Sequence, residues 1–189
     1  MNRKLMMGIS ALFMSVVLVA CGGNENTAPD NNADTDNDST ENMDMDPSSS
    51  GEIPDDLADA ENPTYPVESK AKIKADHMKG MDGAIATIEG AYDTIAYEVT
   101  YTPNDGGEKV ENHKWVIHEE MKDAEEQAYE QGDEVILEAD HMEGMKGATA
   151  TIDDSEDTTV YMVSYKDTET NEEIQNHKWV VEDELTPVK

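Results

Sequence analysis

Two stretches of this chain repeat each other at one fixed spacing, and that duplication limits what it folds into more than any other feature. Ala75-Asp76-His77-Met78 returns as Ala139-Asp140-His141-Met142, and Asn112-His113-Lys114-Trp115-Val116 returns as Asn176-His177-Lys178-Trp179-Val180. Both blocks are offset by 64 residues, and residues 75–121 match 139–185 at 23 of 47 positions without a gap. Self-similarity at a single period is the mark of one supersecondary unit used twice. Two copies of a small module are therefore expected in place of one larger domain.

Each copy reads as β. Ala71, Ile73 and Ala75 alternate with Lys70, Lys72 and Lys74, and Val135, Leu137 and Ala139 repeat the parity, as a half-buried strand requires. Ile95, Tyr97, Val99 and Tyr101 alternate in the same way, and so do Tyr161, Val163 and Tyr165. The run Pro103-Asn104-Asp105-Gly106-Gly107 predicts a turn, and the strand after it carries His113, Trp115 and Ile117 on one face. Gly132-Asp133 with Val135 and Leu137, followed by Gly144, Gly147, Ala150 and Ile152, resembles the KOW-type strand, glycine turn and strand of SH3-like barrels. The expected architecture is a mainly β tandem of two small SH3-like (KOW-like) barrels over 67–123 and 132–189. Between them, the Glu, Ala, Gln and Lys content of 121–131, ending at Gly132, predicts a short helical linker centred on 124–131.

The chain's start reads as an export signal. Arg3 and Lys4 precede an apolar stretch that is short for a membrane span and has the layout of a signal peptide over 1–20. Leu18-Val19-Ala20-Cys21 looks like a bacterial lipobox, so Cys21 is expected to become a lipidated N-terminus anchored at the outer face of a membrane. Residues 21–66 are dominated by Asn, Asp, Glu, Ser, Thr and Pro and predict a disordered acidic tether. Within it, Met43 and Met45 form a weak soft-metal handle or are incidental linker composition. With 13 Lys plus Arg against 44 Asp plus Glu, a phosphate-backbone partner is unfavourable, which excludes nucleic acid as a first choice. A single Cys excludes an internal disulfide framework or thiolate cage.

The remaining chemistry rests on imidazole and thioether. Each copy owns one His-Met-x-Gly-Met cluster and one Asn-His-Lys-Trp cluster. Thioethers with a nearby imidazole suit a soft cation such as Cu(I), while Ca²⁺ and Mg²⁺ prefer oxygen shells. The competing reading is that the methionines plug the open end of each barrel, since Met fills irregular gaps. Trp115 and Trp179 either shield a bound ion through their ring faces or serve as core aromatics. His118, replaced by Glu182 in the second copy, is a weaker candidate.

Taken together, the lipobox, the acidic tether and the tandem Asp-His-Met-x-Gly-Met-x-Gly-Ala and Asn-His-Lys-Trp-Val blocks resemble the YdhK-like family of Gram-positive lipoproteins. Its copper-resistance members are called copper-binding lipoprotein CopL. The resemblance implies a membrane-anchored protein on the extracellular face that binds copper and protects the cell from it. By position, the implied ligands are His77, Met78, Met81 and His113 in one copy and His141, Met142, Met145 and His177 in the other. A copper-exporting ATPase is an expected partner, the chain is expected to be a monomer, and no enzymatic role is expected, because the repeats hold no Cys nucleophile, shared Ser–His pair or phosphate loop. The alternative is a metal-free cell-wall or protein-binding module with an exposed aromatic groove.

Overall fold

The computed structural model describes residues 48–124 and 126–188. The signal stretch, Cys21, Met43 and Met45 lie outside the described residues. Seven strands form one antiparallel sheet: β1 (Lys70–Ile73), β2 (Ile85–Tyr101), β3 (Val110–Ile117), β4 (Glu134–Ile136), β5 (Thr149–Lys166), β6 (Glu173–Val181) and β7 (Leu185–Pro187). Short 3₁₀ turns at His118–Glu120 and Glu182–Glu184 follow β3 and β6.

The copies do not fold separately. Strand β2 of the first copy pairs along its length with β5 of the second, from Ala86 opposite Tyr165 to Tyr101 opposite Ala150. At the middle Thr94 faces Thr158, its own counterpart in the repeat, so a local dyad passes between the two threonines. The ends of the copies also cross over. β1 takes β7 as a neighbour, with Ile73 opposite Leu185, and the equivalent exchange joins Met121 to Leu137.

The cores show the consequence. One joins Ala71, Ile73, Met81 and Ile88 of the first copy to Tyr161, Val163, Tyr165 and Leu185 of the second. Another joins Tyr97, Val99, Tyr101 and Met121 to Val135, Leu137, Met145 and Ile152. A third sits at the dyad, where Tyr92, Ala96 and Trp115 meet Val160, Met162 and Trp179. A single repeat thus owns half of each core, and burying its apolar surface requires the other half. The sheet runs β4-β5-β2-β1-β7, with β3 on β2 and β6 on β5, and does not close on itself. The expected pair of separate barrels is replaced by one interleaved body.

The glycine turns are packed by the partner copy. Gly80 and Gly144 both have positive φ, and a Cβ on Gly144 would come within 2.8 Å of Pro103, while one on Gly80 would overlap the Asp167 carboxylate. Backbone bonds from Asn104 to Gly144 (3.0 Å) and from Thr168 to Gly80 (2.9 Å) fix these docking points.

Two further expectations are corrected. The linker is not helical: Lys122 donates its backbone N–H to Ile136 at 2.8 Å, Tyr129 donates to the Tyr97 hydroxyl at 3.2 Å, and the described residues between them are turns and bends. Those sheet contacts and the packing of Tyr129 on the second core outweigh local helix propensity. The folded body also begins upstream of 67. Ser49 bonds to the Gln175 carbonyl at 3.0 Å, Asp59 bridges to Tyr92, and Leu57 and Tyr65 enter the cores. Two apolar side chains anchor a segment whose composition otherwise reads as tether.

Candidate metal centre

The site begins with two carboxylates that composition alone does not single out. Glu120 and Glu184, 64 residues apart, end the two 3₁₀ turns. Each reaches into the opposite copy. Glu184 Oε1 accepts from His77 Nε2 at 2.6 Å, and its Oε2 accepts from the Trp115 indole N–H at 3.0 Å. Glu120 Oε1 accepts from His141 Nε2 at 2.8 Å, and its Oε2 accepts from the Trp179 indole N–H at 3.0 Å. Each carboxylate also takes a backbone N–H three residues upstream, from Ile117 or Val181.

Electrostatics favour the ionised carboxylates. Burial pushes Glu120 up, but the His141 charge and hydrogen bond, aided by Trp179 and Lys178, hold it below the usual carboxylate range. Glu184 follows the same rule, with His77, Val181 and Trp115 outweighing its desolvation.

The clamps fix one nitrogen of each imidazole and leave the other. His77 Nδ1 and His141 Nδ1 are buried and have no hydrogen-bond partner, and the same holds for His113 Nε2. A carboxylate on one ring nitrogen with the second left for a ligand is the outer-shell arrangement of metal-binding histidines. Burial first, then the positive charge of His141, His77 and His177, lowers His113 to about 3, against a smaller opposing pull from Glu120. His113 is therefore a neutral donor at ordinary pH and need not release a proton to ligate.

All four repeat-related imidazoles meet at one place. His77, His113, His141 and His177 line a cleft of about 1410 Å³, together with Met78 and Met142. The His113 and His141 rings, from different copies, have centroids 6.2 Å apart. Among the described residues, no three His, Cys, Asp or Glu side chains stand in a preformed metal geometry. The donor set fits copper by type, since imidazole suits copper and thioether favours its monovalent form.

The methionines divide. Met78 and Met142 are half-buried at the cleft, and the Met142 sulfur accepts from the Tyr101 hydroxyl at 3.4 Å. Met81 and Met145 are fully buried in two different apolar cores. They are the plugs of the competing reading, because the turn folds the second thioether inward and leaves the first outside.

The indoles are also placed differently from expectation. Register shifts between Tyr97 and Val99 and between Val99 and Tyr101 break strict alternation in β3, and Trp115, Val116 and Ile117 are all buried. Trp115 stands edge-on to His77 at 6.3 Å, while His113 stands edge-on to Tyr101 at 6.0 Å. Lys114 and Lys178 place ammonium groups 4.9 and 5.6 Å from the Trp115 and Trp179 ring centroids, so the ring faces already carry cations. The indoles act through their N–H groups on the clamp carboxylates. His118 lies elsewhere, 3.0 Å from the Tyr97 hydroxyl.

Residues 67–118 and 131–182 match a family model described as a protein of unknown function, DUF1541. The chain belongs to the DUF1541 family. The uncharacterized protein YdhK of Bacillus subtilis (strain 168) is 52% identical over 189 residues, spanning 98% of this chain and 92% of that protein. The 2.00 Å crystal structure of a DUF1541 family protein, ydhK, from Bacillus subtilis subsp. subtilis str. 168 shares 57% identity with a TM-score of 0.73, over 76% of this chain and 97% of that one. The solution NMR structure of the ydhK C-terminal domain from the same species shares 60% identity with a TM-score of 0.62, over 64% and 92%. Both clamp carboxylates fall two residues beyond the matched DUF1541 segments. Their signal was the repeat itself, because Glu120 and Glu184 are identical at the offset of 64.

Proposed function

We propose that this chain is a non-enzymatic copper-binding lipoprotein, held by acyl groups on Cys21 at the extracellular face of the cell membrane, that sequesters Cu(I) and protects the cell from copper. The observation that carries the reading is the set of buried, partnerless imidazole nitrogens on His77, His113 and His141, whose side chains line one cleft. His177 completes the four-imidazole set, and Met78 and Met142 supply thioethers at its rim. Thioethers ligate without deprotonation and resist the disulfide chemistry that would consume thiols outside the cell. The strongly acidic surface favours weak capture of further cations, and a copper-exporting ATPase is the expected partner in transfer.

The metal-free alternative draws on exposed aromatic platforms. Both indoles are buried and committed to carboxylates, which weighs against it.

Titration with Cu(I) against a competing chelator, in the absence of oxygen, tests the reading. Tight binding is expected, with loss when His77, His113, His141 and His177 are replaced by Ala. Unchanged binding in that variant, checked for native circular dichroism, would overturn it.

A further inference from the structure

Building on the copper reading, we propose that the chain holds one copper site shared across its internal dyad, not one site in each repeat. The duplication by itself suggests two equal sites, each made from one copy's His-Met and Asn-His clusters. The geometry assigns the donors otherwise.

The partnerless nitrogens belong to both copies: His77 and His113 to the first, His141 to the second. The shortest ring approach among these three that the structure records is between copies, His113 to His141 at 6.2 Å. The groups that orient the rings are exchanged as well, since Glu184 of the second copy holds His77 and Glu120 of the first holds His141. One cleft receives all four imidazoles and both accessible thioethers. A separate site in each copy would need its own second thioether. Met81 and Met145 are instead sealed in different apolar cores, on opposite halves of the interleaved body. A soft ion entering the cleft therefore meets ligands from both copies at once. Binding it links the two halves of the sheet, and a ligand that binds only the folded state raises stability by mass action.

The experiment uses the chain lacking its first 21 residues, titrated anaerobically with Cu(I) against a competing chelator, with stoichiometry read by native mass spectrometry. One tight equivalent per chain is expected. His77→Ala and His141→Ala are each expected to weaken that equivalent at least tenfold, and the double variant to abolish it. Two tight equivalents in the parent chain, one surviving each single variant, would overturn sharing and leave the copper reading intact. One equivalent sensitive to only one of the two variants would confine the site to a single copy, which also overturns sharing. No tight equivalent at all would overturn the copper reading and this inference together. The parent stoichiometry is read independently of whether any variant folds.

Discussion

Glu120 accepts a hydrogen bond from His141 at 2.8 Å, although the two residues belong to different copies of the repeat. Glu184 and His77 reproduce that contact at 2.6 Å. The exchange makes each copy the positioning element for the other's imidazole, and the predictions below follow from it.

Glu120→Gln and Glu184→Gln keep the shape of the clamp but remove its charge. Each is expected to weaken copper affinity roughly 10- to 100-fold, the usual effect of losing an outer-shell partner of a ligating histidine. Glu120→Ala also strands the indole N–H of Trp179 in a buried position and is expected to cost roughly 3–5 kcal/mol in urea unfolding. Equal copper affinities for the Gln variants and the parent would contradict the positioning role.

The two methionine pairs should separate cleanly. Met81→Ala and Met145→Ala each open a cavity in an apolar core and are expected to cost about 2–5 kcal/mol of stability. Met78→Ala and Met142→Ala are expected to unfold near the parent midpoint but to bind Cu(I) more weakly. Chelator competition and chemical denaturation on the four variants provide the comparison, and a reversed pattern would place the thioether ligands in the core.

A single repeat, residues 67–123 alone, is expected not to fold as a monomer, because half of each core is missing. At high concentration it should pair β2 with β2 of a second molecule, Thr94 against Thr94. Sedimentation equilibrium with circular dichroism checks this, and a folded monomer at low concentration would show that the copies are independent.

Starting the chain at Val67 in place of Ser48 removes Leu57 and Tyr65 from the cores. The shorter chain is expected to lose roughly 3–6 kcal/mol, about what two buried apolar side chains of this size contribute. Matching urea midpoints would return those residues to the tether.

Acid should destabilise the metal-free protein. His113 has a folded-state value of about 3, below the ordinary value of 6.5, so between these limits the unfolded chain binds the extra proton. Stability then rises with pH across that window and is lost as pH falls through it. The depressed Glu120 and Glu184 act in the same direction below the ordinary carboxylate value. Thermal unfolding from pH 7.5 to 4.5 should show a falling midpoint, and a flat profile would argue against a buried neutral His113.

Strand positions were legible because polar and apolar residues alternate with the period of a pleated sheet: β1 buries Ala71 and Ile73 and exposes Lys70 and Lys72. The four imidazoles and the two cleft thioethers were legible from the repeat, which marks what occurs twice. The exchange of partners was not. A repeat records that two segments are alike but carries no sign of whether β1 closes on its own copy or takes β7 of the other. Glu120 was hidden for the same reason, since one acidic residue among 44 stands out only when a buried imidazole and indole converge on it.

The sequence by itself determined the duplication, the strand-forming pattern and the types of donor atom, because these depend on residue chemistry and on spacing along one chain. Tertiary structure alone decided which methionines are sealed and which copy orients each histidine. Those outcomes depend on the long antiparallel pairing of β2 with β5, which brings together groups 64 or more residues apart in sequence. Only that pairing buries enough apolar surface to hold the halves of three cores together.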